Sequence, residues 1–122
     1  MGMDYSRAAE WIVAERGFDP EQLGKCESIM CQGNGYLCLR NATDEFNPRE
    51  QRDLFVAGPF NKFDDNEVTE LPNAADVTRL EIKLDGVRFS LVTGTVEDYD
   101  RSLDLRTGET VRRVLWKAPN GR

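Results

Sequence analysis

The chain has 122 residues, 16 Lys and Arg against 22 Asp and Glu, and no histidine. That length supports one modest core, and the net charge of −6 gives no general attraction to nucleic acid or anionic membranes, so neither is expected as a partner. Without histidine, Ser-His-Asp and Cys-His catalysis and His-based zinc sites are impossible within these residues.

Residues 4–18 fit two structures. Asp4 or Ser6 followed by Ala8, Ala9 and Glu10 suits a capped helix, while Trp11 and Val13 alternating with Ile12 and Ala14 suits a strand. Asp19-Pro20 then opens one helical turn, with Asp19 as its cap. Residues 27–32 read as a strand, Gly33-Asn34-Gly35 as a tight turn, and residues 36–40 as the returning strand. Residues 41–53 are polar and lack a period, which predicts a long loop. Residues 54–60 form a short strand ended by Gly58-Pro59, and residues 61–70, with Asp64, Asp65, Glu67 and Glu70, form a solvated acidic loop.

The strongest local pattern follows. Leu80, Ile82 and Leu84 alternate with Arg79, Glu81 and Lys83, and Asp85-Gly86 is a favoured type I′ connection. Val87, Phe89 and Leu91 resume the alternation and are expected to face Leu80, Ile82 and Leu84. A second hairpin covers residues 101–116, with Thr107-Gly108 in its turn and a slip or bulge between Val111 and Val114. These elements predict a mainly β fold, an antiparallel sandwich or part of one.

Cys26, Cys31 and Cys38 are odd in number and too widely spaced for a CxxC pair. They are expected as free thiols in a reducing, cytoplasmic setting, with Cys38 buried between Leu37 and Leu39. No run is long and apolar enough for a membrane span, and no signal pattern opens the chain. Gly33-Asn34-Gly35-Tyr36-Leu37 is not a GxGxxG fingerprint, because Cys38 stands where the last glycine belongs; no cofactor and no metal is expected.

Cleavage of a glycosidic bond needs paired carboxyl groups, and by residue type Glu27, Asp44, Glu45 and Asp104 are available. The bland reading is stronger for each, and Glu27 is expected to cap the turn near Asn34. Trp11, Tyr36, Phe46, Tyr99 and Trp116 form the pool that could stack on a sugar. Trp11, Phe89 and Trp116 are assigned to the core, whereas Phe46, Phe60 and Phe63, in loop-like segments, are assigned to a partner or inter-domain surface. Arg79, Arg101, Arg106, Arg112 and Arg113 alternate with acids and read as paired surface charges on the sheet.

An ordered series of short blocks adds to this reading. It runs Trp11, Gly17-Phe18-Asp19, Glu27-Ser28-Ile29, Gly33-Asn34-Gly35-Tyr36-Leu37, Arg40, Val56-Ala57-Gly58 and Leu71-Pro72-Asn73. It continues with Asp85-Gly86-Val87-Arg88-Phe89, Tyr99, residues 101–108, Arg112 and Trp116. The series resembles the N-terminal domain of glycoside hydrolase family 65, which holds maltose, kojibiose, trehalose and nigerose phosphorylases and acid trehalases. The chain departs from the family at Leu37-Cys38-Leu39-Arg40-Asn41, where members usually carry Gly-Val-Arg-Gly, and at Glu70, which precedes Leu71-Pro72-Asn73 in place of the usual Asn.

The resemblance implies a supersandwich-type β domain, of which residues 1–122 would be only the first part, followed by a catalytic (α/α)6 barrel absent here. In the family that barrel carries the general acid and the phosphate-binding groups, so no catalytic residue transfers. Structural roles do transfer: Gly33, Asn34 and Gly35 as a turn, and residues 101–108 as a strand and turn ending at Gly108. The implied parent reaction is inverting phosphorolysis of a maltose-like α-glucoside, with the present piece inactive and packed on the barrel. Half a sandwich would leave a face and an edge uncovered, so a homodimer is also expected. The alternative is a stand-alone β domain that binds carbohydrate or a protein partner.

Overall fold

The computed structural model describes residues 2–121. In chain order the elements are β1 (Gly2–Asp4), β2 (Ile12–Arg16), α1 (Leu23–Ile29), β3 (Gln32–Gly33), β4 (Leu37–Arg40), β5 (Asp53–Val56), β6 (Lys83–Leu84), β7 (Val87–Arg88), β8 (Thr95–Asp104) and β9 (Glu109–Lys117). They form a four-stranded sheet ordered β1-β2-β8-β9, a three-stranded sheet β3-β4-β5, and the hairpin β6-β7, with every strand pair antiparallel.

Period-two alternation builds the larger sheet. Tyr99, Arg101 and Leu103 of β8 are buried, and their cross-strand neighbours Val114, Arg112 and Thr110 of β9 share that face. Glu109, Val111, Arg113, Leu115 and Lys117 alternate outward along β9. The connecting turn is tied by Asp104, whose Oδ1 accepts from Arg106 N at 2.8 Å, and Gly108 takes φ 70°. No slip occurs between Val111 and Val114. The irregularity lies across the ladder, between Val96 and Asp98. Arg112 holds a regular inward position because Glu45 neutralises it, so an apparent break in the apolar pattern is not a break in register.

The N-terminal ambiguity resolves in favour of the strand. Residues Ala8–Glu10 make a single 3-10 turn, which Trp11 ends at φ 66° before β2 begins. Trp11 is 54% exposed, with the Arg106 guanidinium 6.0 Å from its ring centre, so it is not a core residue. Its left-handed backbone sits outside the pleat that would have turned the ring inward.

Of residues 27–32, only Gln32 lies in a strand. The turn capped by Asp19, whose carboxylate accepts from Glu21 N at 3.0 Å, runs on into α1. Leu23, Cys26 and Glu27 are its buried positions and Met30 is buried just past its end, a helical spacing of three and four. The hairpin around Asp85-Gly86 is also shorter than the alternation suggests, with two residues per strand. Residue Leu80 leaves the ladder, donating its N–H to Asp44 O at 2.8 Å, and is 52% exposed together with Leu84 at 55%. Asp85 at φ 48° and Gly86 at φ 78° make the turn itself type I′.

Two apolar clusters carry the core. One joins Leu23, Cys26 and Ala42 with Met3 and Phe18; the other joins Phe89, Leu91 and Tyr99 with Phe18, Ile82, Val96, Val114 and Trp116. Phe18 belongs to both and lies 5.6 Å from the Tyr99 ring, while Phe89 and Trp116 meet edge to face at 5.2 Å. Beside these clusters lies a buried polar layer formed by residues 41–53. The Arg101 guanidinium donates to Ala42 O and to Asn41 O. Glu50 accepts from Ala42 N, Thr43 N and Thr43 Oγ1, and Arg112 makes a two-pronged contact with Glu45 at 2.7 and 3.2 Å. Arg101 and Arg112 are therefore internal ties and not surface charges. They can be buried because loop carbonyls and the Glu45 carboxylate replace their water.

Cys26 is the deeply buried thiol, Cys38 is half-buried and Cys31 is exposed. Burial, reinforced by the neighbouring Glu15 carboxylate, pushes the Cys26 thiol up to about 12. Among the described residues no helix is long and apolar enough to cross a membrane.

Candidate inter-domain surface

Residues 58–72 leave the body of the protein as an arm. Its base is a set of hydrogen bonds on β5. Ala57 N donates to Tyr36 O at 2.8 Å and Ala74 N to Leu54 O at 2.7 Å. Asn73 closes the base from both ends of its amide. Its Oδ1 accepts from Leu54 N at 2.8 Å, and its Nδ2 donates to Arg52 O at 3.1 Å and to Asp53 Oδ1 at 2.8 Å. Arg52 adds a tie to Asp76 at 2.6 Å, which holds that carboxyl down at about 2. Further out, Asn61 and Glu70 exchange backbone hydrogen bonds of 2.9 and 2.7 Å.

Beyond that neck the arm carries Phe63 at 86% and Val68 at 87% exposure, and Phe60 stands 66% exposed beside it. One lysine, Lys62, sits among Asp64, Asp65, Glu67 and Glu70. An isolated exposed apolar residue needs no explanation, but here three stand exposed on one braced and mostly acidic segment. At the arm's base, Tyr36, Leu37, Cys38, Phe55, Val56 and Leu71 line an apolar groove of about 260 Å³. Tyr36 is 61% exposed there.

Phe46 is separate from this arrangement. It is 45% exposed, carries the Arg79 guanidinium 4.4 Å above its ring, and lines a different groove with Leu80, Phe89 and the ion-paired Glu81 and Arg88. Of the four carboxylates that could serve acid–base work, Asp44 and Glu45 meet at Arg112, and Glu27 and Asp104 are engaged elsewhere. Glu27 is buried against Arg40 at 3.1 Å and not over the Asn34 turn; burial raises its carboxyl above the usual range. Asp44 and Glu45 both engage Arg112, and Asp104 ties its own turn. Gly33, Asn34 and Gly35 make a turn in which Asn34 Oδ1 accepts from Tyr36 N and Leu37 N, with Gly35 at φ 84°. Glu27 misses that turn because α1 carries it to Arg40. Among the described residues no three Cys, Asp or Glu side chains gather as a metal site.

The residues that matter most to the arm, Asn73, Arg52 and Asp76, are not marked by local pattern. Their only sequence trace is the Leu71-Pro72-Asn73 block. Each acts on a backbone or side chain some twenty positions away, a relation periodicity does not report.

This geometry defines a class: a mainly β domain built of antiparallel sheets, with an exposed aromatic arm. The comparisons define the family. Residues 13–122 match the model of the glycosyl hydrolase family 65 N-terminal domain. The chain is 47% identical over 111 residues to a kojibiose phosphorylase from Halothermothrix orenii, covering 91% of this chain and 14% of that protein. It is 38% identical over 109 residues to a kojibiose phosphorylase from Escherichia coli, covering 89% of this chain and 14% of that protein. A solved structure from the human microbiome, assigned as a kojibiose phosphorylase, superposes with a TM-score of 0.80 at 22% identity, over 93% of this chain and 16% of its own. The chain belongs to glycoside hydrolase family 65, as N-terminal domain sequence, and spans about one seventh of the length of these curated relatives.

Proposed function

We propose that the chain is the non-catalytic N-terminal part of an inverting disaccharide phosphorylase, with kojibiose as the substrate of the whole enzyme. The observation that carries this reading is the 47% identity to a kojibiose phosphorylase across 91% of the chain. In that reaction a phosphate oxygen attacks the anomeric carbon of an α-glucoside. The glycosidic bond breaks, the departing sugar oxygen takes a proton, and β-glucose 1-phosphate and glucose result. Glu27 is paired with Arg40, Asp44 and Glu45 with Arg112, and Asp104 ties its own turn, so each has a structural task, which agrees with an accessory role. The domain contributes instead by packing on a catalytic barrel, and the arm with Phe60 and Phe63 is its contact, the acidic tip facing a basic rim. Three free cysteines suit a cytoplasmic enzyme.

The test is a chimera. The chain replaces the aligned segment of the Halothermothrix orenii kojibiose phosphorylase, and phosphate-dependent glucose release from kojibiose is measured. The chimera is expected to be active and the isolated 122-residue chain inactive. A folded but inactive chimera overturns the accessory assignment, and activity of the isolated chain overturns the non-catalytic one.

A further inference from the structure

The arm of residues 58–72 is held at both ends, by different means. Where it begins, Ala57 N donates to Tyr36 O as a continuation of the β4–β5 ladder, and Gly58 then turns at φ 101° ahead of Pro59. Where it ends, one side chain stands in for a strand. Leu54 of β5 lies opposite Leu39 of β4 and spends both backbone groups on its other side, donating to Asn73 Oδ1 at 2.8 Å and accepting from Ala74 N at 2.7 Å. A neighbouring strand would make that same pair of bonds. The Asn73 Nδ2 completes the clasp on Arg52 O at 3.1 Å and Asp53 Oδ1 at 2.8 Å. Just beyond it, the Arg52 guanidinium, with 9% of its side chain exposed, joins Asp76, Thr78 Oγ1 and Thr43 O. Thr43 is itself bound to Glu50, so the exit of the arm is tied into the buried polar layer.

Neither apolar cluster includes any residue from 52 to 80. The hydrogen bonds along this stretch therefore complete no core; they fix a direction. Asn61 and Glu70 join the two limbs of the arm with backbone hydrogen bonds of 2.9 and 2.7 Å, so what lies beyond them follows the base. Held only at Ala57, the arm would pivot at Gly58, and the Asn73 clasp supplies the second fixed point that removes the pivot. We propose, resting on the reading of this arm as the barrel contact, that Asn73 is a positioning residue for phosphorolysis. It sets the direction in which the arm leaves the domain, and thereby the seating of Phe60 and Phe63 on the catalytic barrel. The side chain suits that task. One planar amide offers an acceptor to Leu54 N and donors to Arg52 O and Asp53. A carboxylate in its place would lose the donors and face Asp53 with like charge.

The test uses the full-length chimera, with thermal unfolding of each variant to confirm that it is folded. Asn73→Asp keeps the acceptor for Leu54 N, loses both donors and sets a carboxylate against Asp53. Its kcat/KM for kojibiose phosphorolysis should fall about tenfold. Adding Asp53→Asn restores a donor between the two side chains, with its direction reversed, and should recover most of that loss. Because Asn73 acts through the arm, Phe63→Ser should cost little further activity in the Asn73→Asp background, although it lowers activity alone. A merely structural Asn73 would instead give losses that multiply. Asn73→Gln, which keeps the amide and displaces it by one methylene, carries the same cycle should Asn73→Asp fail to fold. Losses that multiply, or activity unchanged in both Asn73 variants, overturn the positioning role and leave the phosphorylase reading standing. A chimera that is inactive with Asn73 in place overturns that reading, and the positioning role with it.

Discussion

The β8–β9 hairpin and the arm of residues 58–72 are both antiparallel excursions of the chain, and they keep their shape by opposite means. In the hairpin the side chains do the work: Tyr99, Leu103, Val114 and Trp116 alternate into a core, and Arg112 joins them by pairing with Glu45. The arm has almost no core of its own. It is held by polar ties at its base, from Asn73, Arg52 and Asp76, while Phe60, Phe63 and Val68 stay in solvent. Apolar side chains left in solvent on a segment whose base is braced are what the proposed inter-domain contact rests on.

The comparison predicts a separation between stability and assembly. The largest effect belongs to the hairpin. Arg112→Ala leaves Glu45 buried without its partner and should cost about 3–5 kcal/mol, read from urea denaturation; a loss under about 1 kcal/mol would mean that the polar layer is not integral to the fold. Gly86→Val forces a β-branched residue to positive φ and should cost about 1–3 kcal/mol by the same measurement. The arm's base should respond to acid. Asp76 titrates lower in the folded protein than in the unfolded chain, so its stabilisation is complete above pH about 4 and is lost as pH falls toward about 2. Limited acid-protease digestion should therefore cut residues 58–72 increasingly in that window, and Asp76→Asn should remove the pH dependence. The smallest effect on stability belongs to the tip. Phe63→Ser should change unfolding free energy by less than about 0.5 kcal/mol, yet should lower phosphorolysis by the chimera; full activity there would break the link between the arm and assembly.

The β8–β9 hairpin was legible in the sequence through the alternation around Leu103 and the Thr107-Gly108 turn, whereas the stronger alternation from Leu80 to Leu91 yields only the short β6–β7 pair. Helix α1 was not, because the Cys26 to Met30 stretch is apolar enough for either structure and its length is too short for periodicity to choose. The helical spacing of Leu23, Cys26 and Met30 becomes decisive only when Leu23 is included. The polar layer was least legible. Arg101 and Arg112 look like sheet-surface charges until residues 41–45, some sixty positions away, supply carbonyls and a carboxylate. The contact aromatics divided in the same way. Loop composition singled out Phe46, Phe60 and Phe63, but only the structure separates Phe46, under Arg79, from the two that stand with the arm.

The two tryptophans sit in different settings, Trp116 partly buried and Trp11 exposed. Trp116 donates its indole N–H to Thr93 O at 2.6 Å and lies edge-on to Phe89, whereas Trp11 stands in solvent beside Arg106. Intrinsic fluorescence of the protein is therefore the sum of two distinct emitters. Trp11 is expected to emit further to the red and to be open to collisional quenchers, and Trp116 to be bluer, partly shielded and coupled to the β8–β9 core. Trp11→Phe would silence the first and leave a single optical reporter, already built into β9.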